Sequence, residues 1–151
     1  MISIALYKPD IPQNTAAIIR LSACFEMRIH IIEPCGFSLE DSRFKKVVMD
    51  YFNFSKISRY VNYINFKKKN SKSRIVLMTT KAKKYYYNFK YQDNDILLFG
   101  RESAGVPQNI HDSVDFKLKI PMNKNTRSLN VAMTSAIVSA EAMKQTKFLK
   151  I

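Results

Sequence analysis

Apolar and polar residues alternate along this chain in patterns that predict strands and helices following one another from end to end. An alternating pattern over residues 2–6 predicts a first strand that ends near Tyr7. The apolar spacing that follows is helical, and this helix is expected to run to about Phe25 with Asn14 or Thr15 as its N-cap. The chain is therefore expected to open with a strand, a turn and a helix.

The remaining pattern repeats this order of strand and helix. It predicts strands at 28–33, 54–60, 74–80, 95–99 and 116–120, and helices at 39–51, at 61–69 and from residue 128 onward. No linker rich in glycine, proline or serine divides the chain. We therefore predict an α/β fold with a mostly parallel sheet and helices on both faces, in a single domain that covers residues 1–151.

Residues 120–146 join a strand end, a polar loop and a long apolar helix. Pro121 is expected to end the strand, and Ser128 is expected to cap the helix. Several apolar positions of the helix are alanines, which gives a narrow face that lets another backbone approach closely. These apolar positions are Leu129, Ala132, Met133, Ala136, Ile137, Ala140 and Met143.

A second stretch, residues 95–107, is a buried apolar strand that leads into Gly100 and a charged turn. Ligands of open α/β sheets bind outside the carboxyl ends of the strands, so this stretch and residues 120–146 are expected to face one site. The same arrangement is also ordinary α/β architecture. The pattern alone leaves both interpretations open.

Composition indicates a globular protein, with a hydrophobic share of 46% and an aromatic share of 12%. The apolar run at the N-terminus is too short for a signal peptide, and no later run is long enough to span a membrane. We therefore expect a cytoplasmic protein without a membrane partner. Cys24 and Cys35 are too few for a disulfide framework and are expected to be buried or inert thiols.

The formal net charge of the chain is +13 at pH 7. This excess of positive charge favours a polyanionic partner such as a nucleic acid, because lysines that neutralise phosphates release counterions. A drift toward lysine and asparagine in an AT-rich genome would produce the same surplus. Charge alone leaves both explanations open.

The few glycines and histidines exclude several kinds of site. Gly36, Gly100 and Gly105 cannot form the glycine-rich loop of a dinucleotide-binding Rossmann fold or of a P-loop. His30 and His111 lie far apart in the sequence and form no zinc-binding motif, so no metal is expected. His30 lies within an apolar strand pattern and is predicted to be structural.

Three ordered motifs resemble those of the SPOUT superfamily of RNA methyltransferases. Residues 9–21, PDIPQNTAAIIRL, are similar to the first motif, residues 99–107, FGRESAGVP, to the second, and residues 120–132, IPMNKNTRSLNVA, to the third. The run HIIEPCGF at residues 30–37 follows the first motif as it does in the TrmL type, which comprises small tRNA wobble-nucleotide 2′-O-methyltransferases. The resemblance covers nearly the whole chain.

This resemblance implies a deep trefoil knot in the C-terminal third, a homodimer whose sites use both chains, and S-adenosylmethionine as the cofactor. The implied reaction is methylation of the ribose 2′-hydroxyl of the wobble nucleotide, cytidine or carboxymethylaminomethyluridine, in the tRNA anticodon arm. The residues implied for cofactor binding are Met78, Thr79, Gly100, Ile120, Met122, Ser128, Leu129 and Asn130.

The resemblance also implies that Arg20, Asn14 and Glu102 serve the chemistry. A guanidinium seldom gives up its proton, so we interpret Arg20 as a clamp on an RNA phosphate that lowers the pKa of the neighbouring hydroxyl. Glu102 is expected to accept a hydrogen bond in the site or to brace the loop. The alternative is a structural carboxylate that pairs with a local arginine such as Arg101 or Arg127. Two alternative functions remain. One is methylation of rRNA or of another tRNA position, and the other is non-catalytic RNA binding with the same fold.

Overall fold

The computed structural model describes residues 1–48, 51 and 56–146 of the chain. Its strands are β1 (Ser3–Tyr7), β2 (Arg28–Ile32), β3 (Lys56–Tyr60), β4 (Ile75–Met78), β5 (Lys84–Tyr85), β6 (Ile96–Phe99) and β7 (Phe116–Lys119). Its α-helices are α1 (Pro12–Cys24), α2 (Ser42–Val48), α3 (Tyr63–Lys69), α4 (Gln108–Ser113) and α5 (Val131–Gln145).

The strands of the described residues form one sheet in the order β3-β2-β1-β6-β4-β7-β5, and each neighbouring pair is parallel. The predicted α/β fold with a mostly parallel sheet is therefore confirmed. From β1 the chain builds the sheet in one direction through β2 and β3, and the later strands extend it in the other. The boundary between β1 and β6 is thus a switch point, where the loops at the carboxyl edge diverge and ligands bind in folds of this kind.

Two hydrophobic cores lie on opposite faces of the sheet. Ile4 and Leu6 of β1 pack in the core that includes α1, α2 and α5, whereas Ala5 and Tyr7 pack in the core that includes α3 and α4. Successive side chains of a strand point to opposite faces, so a strand that is buried throughout must serve both cores. The prediction of helices on both faces is confirmed.

Helix α1 begins earlier than its polar residues suggested. Pro12 opens the helix, where its missing N–H costs nothing, and Ile11 stands at the N-cap without a side-chain hydrogen bond to the helix. The prediction that Asn14 or Thr15 caps this helix is therefore wrong, because both lie inside its first turns. Thr15 is fully buried.

Helix α5 is capped by Asn130, so the prediction that Ser128 caps it is wrong by two residues. The Oδ1 atom of Asn130 accepts hydrogen bonds from the N–H groups of Ala132 at 2.8 Å and Met133 at 3.3 Å. The Nδ2 atom of Asn130 also donates to Oδ1 of Asn14 at 2.8 Å. This second bond is a tertiary contact, which explains why local sequence did not identify the cap.

Helix α5 turns most of its predicted apolar stripe away from the core. Val138, Ser139 and Ala142 are fully buried, whereas Met133 is 62% exposed and Ile137 is 38% exposed. Small side chains on the buried face let the helix pack closely against α1 and the sheet. The larger apolar side chains consequently remain at the surface of the chain.

Some predictions concern residues at the limits of the described part of the chain. The predicted helix at 39–51 is observed as α2, and residues 49–50 lie outside the described residues. The predicted strand at 54–60 is observed as β3, and residues 54–55 lie outside them as well. The trefoil knot stays a prediction.

The two thiols differ in their surroundings. Cys24 is exposed rather than buried, and its inertness stays a prediction. Burial raises the pKa of the Cys35 thiol to about 11 and leaves it protonated at neutral pH. No helix within the described residues combines the length and the apolar character needed to cross a bilayer.

Candidate active site

A cavity of about 510 Å³ opens at the carboxyl edge of the sheet, beside the ends of β4, β6 and β7. Asn14 and Glu102, two of the three residues expected to serve the chemistry, line this cavity. All of the residues expected to bind the cofactor line it as well, namely Met78, Thr79, Gly100, Ile120, Met122, Ser128, Leu129 and Asn130. The structure therefore brings together residues that are up to 116 positions apart in the chain.

The inner wall of the cavity is apolar. Three buried side chains at the carboxyl ends of two strands form it: Leu77 and Met78 of β4, and Phe99 of β6. Ile120, just beyond the end of β7, packs against the core that includes α1, α2 and α5. Apolar side chains combined with the free backbone edges of strand ends suit a flat neutral group such as a purine better than a phosphate.

The loop after β6, residues 100–105, folds back on itself beside the cavity. The N–H of Arg101 donates to the carbonyl of Gly105 at 3.1 Å, and the N–H of Gly105 donates to the carbonyl of Arg101 at 2.8 Å. Gly105 has a φ of 64°, which glycine adopts without strain. A Cβ on Gly100 would lie only 2.7 Å from the Cα of Gly105. The loop that presents Glu102 thus needs a glycine at position 100 for space, and it favours one at position 105 for the backbone conformation.

A chain of hydrogen bonds joins this loop to α1 and α5. Oε1 of Glu102 accepts from Nδ2 of Asn14 at 3.3 Å, and Oδ1 of Asn14 accepts from Nδ2 of Asn130 at 2.8 Å. Asn130 in turn caps α5. One network therefore fixes the relative positions of three segments that come from the three sequence motifs.

Glu102 makes a second contact across the switch point, with Asp10 in the loop after β1. The N–H of Asp10 donates to Oε2 of Glu102 at 3.0 Å, and the N–H of Glu102 donates to Oδ1 of Asp10 at 3.2 Å. Nε of Arg101, at 3.4 Å, and the hydroxyl of Ser103 both donate to Oδ2 of Asp10. Arg101 therefore pairs with Asp10 rather than with Glu102, and Glu102 accepts hydrogen bonds from Asp10 and Asn14. Its part in the chemistry stays a prediction.

The pKa values of these two carboxyl groups move in opposite directions. The hydrogen bond with Glu102 holds the pKa of Asp10 well below its ordinary value, and Ser103 and Arg101 lower it further. Burial raises the pKa of Glu102, and the hydrogen bond with Asp10 adds to the increase. As the pH falls, Glu102 therefore binds a proton more readily than Asp10 does.

Arg20, the third residue expected to serve the chemistry, is not among the described residues that line the cavity. It lies six residues beyond Asn14 on α1, which places it about 9 Å along the helix and on a different side of it. Its side chain is exposed, and its guanidinium carbon lies 4.8 Å from the centre of the Tyr51 ring. The structure therefore separates Arg20 from the cavity of its own chain.

Sequence reasoning missed two residues of this region. Asp10 lies in the first motif beside Pro9, and its role depends on a loop that is 92 residues away. His111 lines the cavity from α4, four residues after Pro107 at the end of the second motif. Its place on the first helix after that motif could have indicated its position at the cavity, but the spacing of histidines in metal-binding motifs does not.

A parallel α/β sheet with a cavity at the carboxyl ends of its strands has the arrangement in which proteins of this class bind ligands. The sequence profile of the SpoU rRNA Methylase family matches residues 1–140. The chain belongs to this family of methyltransferases. The resemblance indicated by the three motifs is thereby confirmed.

Two relatives that share one name match nearly the whole chain. A tRNA (cytidine(34)-2'-O)-methyltransferase from Beijerinckia indica is 44% identical over 144 residues, which cover 94% of this chain and 90% of that protein. The protein of the same name from Escherichia coli K12 is 39% identical over 147 residues, which cover 96% of this chain and 94% of that protein.

Solved structures show the same fold. One, which concerns the 2-OH methylation of C/U34 on tRNA, has a TM-score of 0.91 at 30% identity and covers 96% of this chain and 95% of its own. Another, of a candidate RNA methyltransferase from Bacillus anthracis, has a TM-score of 0.92 at 34% identity and covers 100% of this chain and 98% of its own. The similarity in sequence is thus accompanied by similarity over the whole fold.

Proposed function

We propose that this protein uses S-adenosylmethionine to methylate the ribose 2′-hydroxyl of the wobble nucleotide, cytidine or carboxymethylaminomethyluridine, in a tRNA anticodon. One observation carries the proposal: the residues expected for the cofactor share a single cavity with Asn14 and Glu102. The names of full-length relatives at 39% and 44% identity support the choice of substrate.

The chemistry of the cavity wall suits S-adenosylmethionine. Met78, Ile120 and Leu129 offer apolar surface to a purine, and Gly100 lets the backbone approach closely. Thr79, Met122, Ser128 and Asn130 complete the wall. When bound, this cofactor supplies a methyl group on a sulfonium sulfur.

Transfer to a ribose hydroxyl requires that the protein align the acceptor and help to remove its proton. We assign to Arg20 the binding of an RNA phosphate, which places a positive charge near the hydroxyl and lowers its pKa. Asn14 and Glu102 hold each other at the cavity edge, so they present fixed polar groups to the acceptor nucleotide.

The proposal includes a homodimer, in which Arg20 of a second copy reaches the cavity. Two observations support this arrangement: the exposed position of Arg20 away from its own cavity, and the exposed apolar side chains Met133 and Ile137 on α5. A two-fold axis brings the same surface of both copies together, so each copy can complete the site of the other.

The proposed substrate is the anticodon arm of tRNA, and the proposed location is the cytoplasm. The net charge of +13 favours binding to a phosphate backbone. The proposed reaction needs no membrane. It needs no metal either, and within the described residues no group of histidine, cysteine, aspartate and glutamate side chains is arranged to hold one.

The test is methyl transfer from labelled S-adenosylmethionine to total tRNA that lacks wobble methylation, followed by nuclease digestion and mass spectrometry. Label on the ribose of the wobble nucleotide is the expected result. Label at another tRNA position, or on rRNA only, would replace the proposed substrate with the first alternative. Cofactor and tRNA binding without transfer would favour the non-catalytic alternative.

In the same assay, Arg20→Ala should reduce transfer by about 100-fold or more, because the positive charge near the acceptor hydroxyl is lost. Binding of S-adenosylhomocysteine should stay close to that of the unaltered protein, because Arg20 is assigned to the RNA phosphate and is not among the residues assigned to the cofactor. Arg28→Ala is the matched control, since Arg28 is an exposed arginine at the amino end of β2, on the opposite edge of the sheet. Full transfer by Arg20→Ala would contradict the role assigned to Arg20.

A further inference from the structure

The edge of the sheet that ends in β7 and β5 concentrates positive charge. Residues 81–92 and 116–130, which contain these two strands, carry four lysine or arginine residues in each segment and no aspartate or glutamate. In the part of the chain that the structure describes, none of these cations pairs with an acidic side chain. This edge therefore presents charge that the protein itself does not neutralise.

Part of this charge lies on the face of the sheet opposite α5. Leu118 of β7 is buried in the core that includes α1, α2 and α5, so the side chains of Lys117 and Lys119 point to the other face. Both lysines are half-buried there. Tyr85 of β5 pairs with Lys119 in the register of the two strands. The dimer proposed above uses α5 and leaves this surface exposed.

Two tyrosines continue the surface beyond Lys119. The Nζ atom of Lys119 lies 5.2 Å from the centre of the Tyr85 ring. The rings of Tyr85 and Tyr87 are stacked, with their centres 5.5 Å apart and an angle of 17° between their planes. Tyr87 is 47% exposed. Packing in a core would account for buried tyrosines, whereas a stacked pair at the surface offers aromatic area to a partner.

This surface also adjoins the cavity, because Lys81 and Lys119 are among the residues that line it. A nucleotide whose ribose lies at the cavity would therefore bring its neighbours in the RNA chain beside Lys119 and Tyr85. Bases of a loop have faces that are free to stack on aromatic side chains, whereas bases of a duplex are stacked on one another. Lysines on an edge strand also discourage pairing between sheets, but this does not account for the exposed tyrosine pair.

We propose that this surface binds the unpaired nucleotides beside the methylated one, with a base stacked on the pair of Tyr85 and Tyr87. The lysines neutralise the neighbouring phosphates. This proposal rests on the proposed function, because it requires an RNA acceptor at the cavity. The surface positions the RNA loop and takes no part in the transfer of the methyl group. We call it the β5 edge surface and define it by Lys81, Lys83, Tyr85, Tyr87, Lys117 and Lys119.

The test measures the binding of two fluorescently labelled RNAs by anisotropy. One is a tRNA anticodon stem–loop, and the other is a duplex of the same length without unpaired nucleotides. Tyr87→Ala removes the exposed ring, so it should weaken binding of the stem–loop about five-fold or more and leave binding of the duplex unchanged. Tyr87→Phe is the matched variant, because it keeps the ring, and it should bind the stem–loop as the unaltered protein does.

Lys83→Gln tests the contribution of charge. It should weaken the binding of both RNAs and reduce the slope of log affinity against log salt concentration by about one, because phosphate contacts do not depend on unpaired bases. Lys56→Gln is the control, since Lys56 is an exposed lysine of β3, the strand at the opposite edge of the sheet. Equal effects of the two changes would show a general attraction of charge and overturn the assignment of phosphate contacts to this edge.

Thermal unfolding verifies that each variant folds. Tyr87→Leu, which keeps apolar volume without an aromatic ring, replaces Tyr87→Ala in the test if the alanine variant does not fold. Binding of S-adenosylhomocysteine, measured by calorimetry, should be the same in all of these variants, because none of the changed residues lines the cavity.

The outcomes separate this inference from the proposed function. Unchanged binding of the stem–loop by Tyr87→Ala would overturn the stacking contact and leave the proposed function intact. Equal weakening of stem–loop and duplex by Tyr87→Ala would overturn the contact with an unpaired base. Failure of the unaltered protein to bind the stem–loop, together with normal binding of S-adenosylhomocysteine, would overturn both the inference and the proposed anticodon substrate.

Discussion

His30 joins three adjacent strands through one buried side chain. Its Nδ1 atom lies 2.8 Å from the hydroxyl of Tyr60 on β3, and its Nε2 atom lies 3.2 Å from the hydroxyl of Ser3 on β1. Tyr60 also accepts a hydrogen bond from Asn70, so its own proton is free to bond Nδ1. His30 is then a neutral ring that donates through Nε2 to Ser3. The structural role predicted for this histidine is confirmed.

The neutral state of His30 predicts a loss of stability in acid. Burial, with a smaller contribution from the charge of Arg28, lowers the pKa of His30 from 6.5 to about 4. Between these values the unfolded chain binds a proton that the folded chain does not bind, so stability is present above pH 6.5 and is lost as the pH falls toward 4. The expected loss is about 2–3 kcal/mol in the free energy of unfolding.

Urea denaturation at pH 7, 6, 5 and 4 measures this loss. The matched variant is His30→Gln, which keeps a polar group near Nε2 but has no titratable side chain. Its stability should fall less steeply over the same range, since only the carboxyl groups common to both proteins contribute. Parallel curves for the two proteins would show that His30 does not account for the acid sensitivity.

Single residues were predictable from the sequence when their environment was local. His30 lies in a strand whose apolar pattern already implied burial. The position of Arg20 off the apolar face of α1 was visible in the helical spacing. The partner of Asp10 was not visible, because a contact between residues 10 and 102 depends on β1 lying beside β6.

At the scale of elements, the loop 100–105 shows how a short segment depends on two glycines for different reasons. Gly105 needs its positive φ, and a side chain there would meet nothing within 4 Å. Gly100 needs space, because a Cβ would approach the backbone of Gly105 to 2.7 Å. Position 105 thus restricts the backbone conformation, and position 100 restricts the volume of the side chain.

Gly100→Ala should open the pairing between Arg101 and Gly105 and displace Glu102 from Asn14. We expect a decrease of about 1–3 kcal/mol in the free energy of unfolding, together with weaker binding of S-adenosylhomocysteine. Gly105→Asn is the control, because asparagine tolerates the left-handed conformation and open space surrounds the site. Denaturation and calorimetry on both variants provide the measurement. Equal effects of the two changes would contradict a steric role for Gly100.

The limits of elements were harder to predict than their existence. Both Ser128 and Asn130 are good N-cap residues, and the spacing of apolar residues did not choose between them. The choice depends on the bond from Asn130 to Asn14 on another helix. In α1, the proline at the first helical position determined the start, although two polar residues beyond it were reasonable caps.

At the scale of the whole molecule, charge and exposed apolar surface point to contacts with other molecules. The chain combines a net charge of +13 with an apolar stripe on α5 that is left unburied. Apolar residues scattered singly over a surface are normal, but a stripe on one helix favours an interface between protein chains. The proposed dimer uses this stripe, and the proposed tRNA binding uses the charge.

Ile137→Glu should therefore convert the dimer into monomers, because a carboxylate at the proposed interface would lose its hydration. Ile64→Glu is the matched control, since Ile64 is 78% exposed on α3, on the opposite face of the sheet. Sedimentation at micromolar concentration should find a dimer for the control and for the unaltered protein. A monomeric unaltered protein, or a dimeric Ile137→Glu, would contradict the use of α5 as the interface.

The arrangement of the whole molecule was only partly predictable. The alternation of strands and helices was sufficient to predict a parallel sheet, because a helix between two strands provides the crossover that parallel neighbours need. The strand order was beyond reach, since β4 lies between β6 and β7 and such long-range pairing leaves no local pattern. The implied knot came from family resemblance, because no periodicity in a sequence reports the path of a chain through a loop.

The separation of Arg20 from the cavity has a consequence for dimers whose two chains carry different mutations. In the proposed dimer, each reaction centre draws its arginine from one polypeptide and its cofactor cavity from the other. An inactive chain without Arg20 and an inactive chain with a damaged cavity would therefore complement each other when co-expressed. Their mixed dimer would retain one complete centre, so two separate mutations that each abolish the activity could together restore part of it.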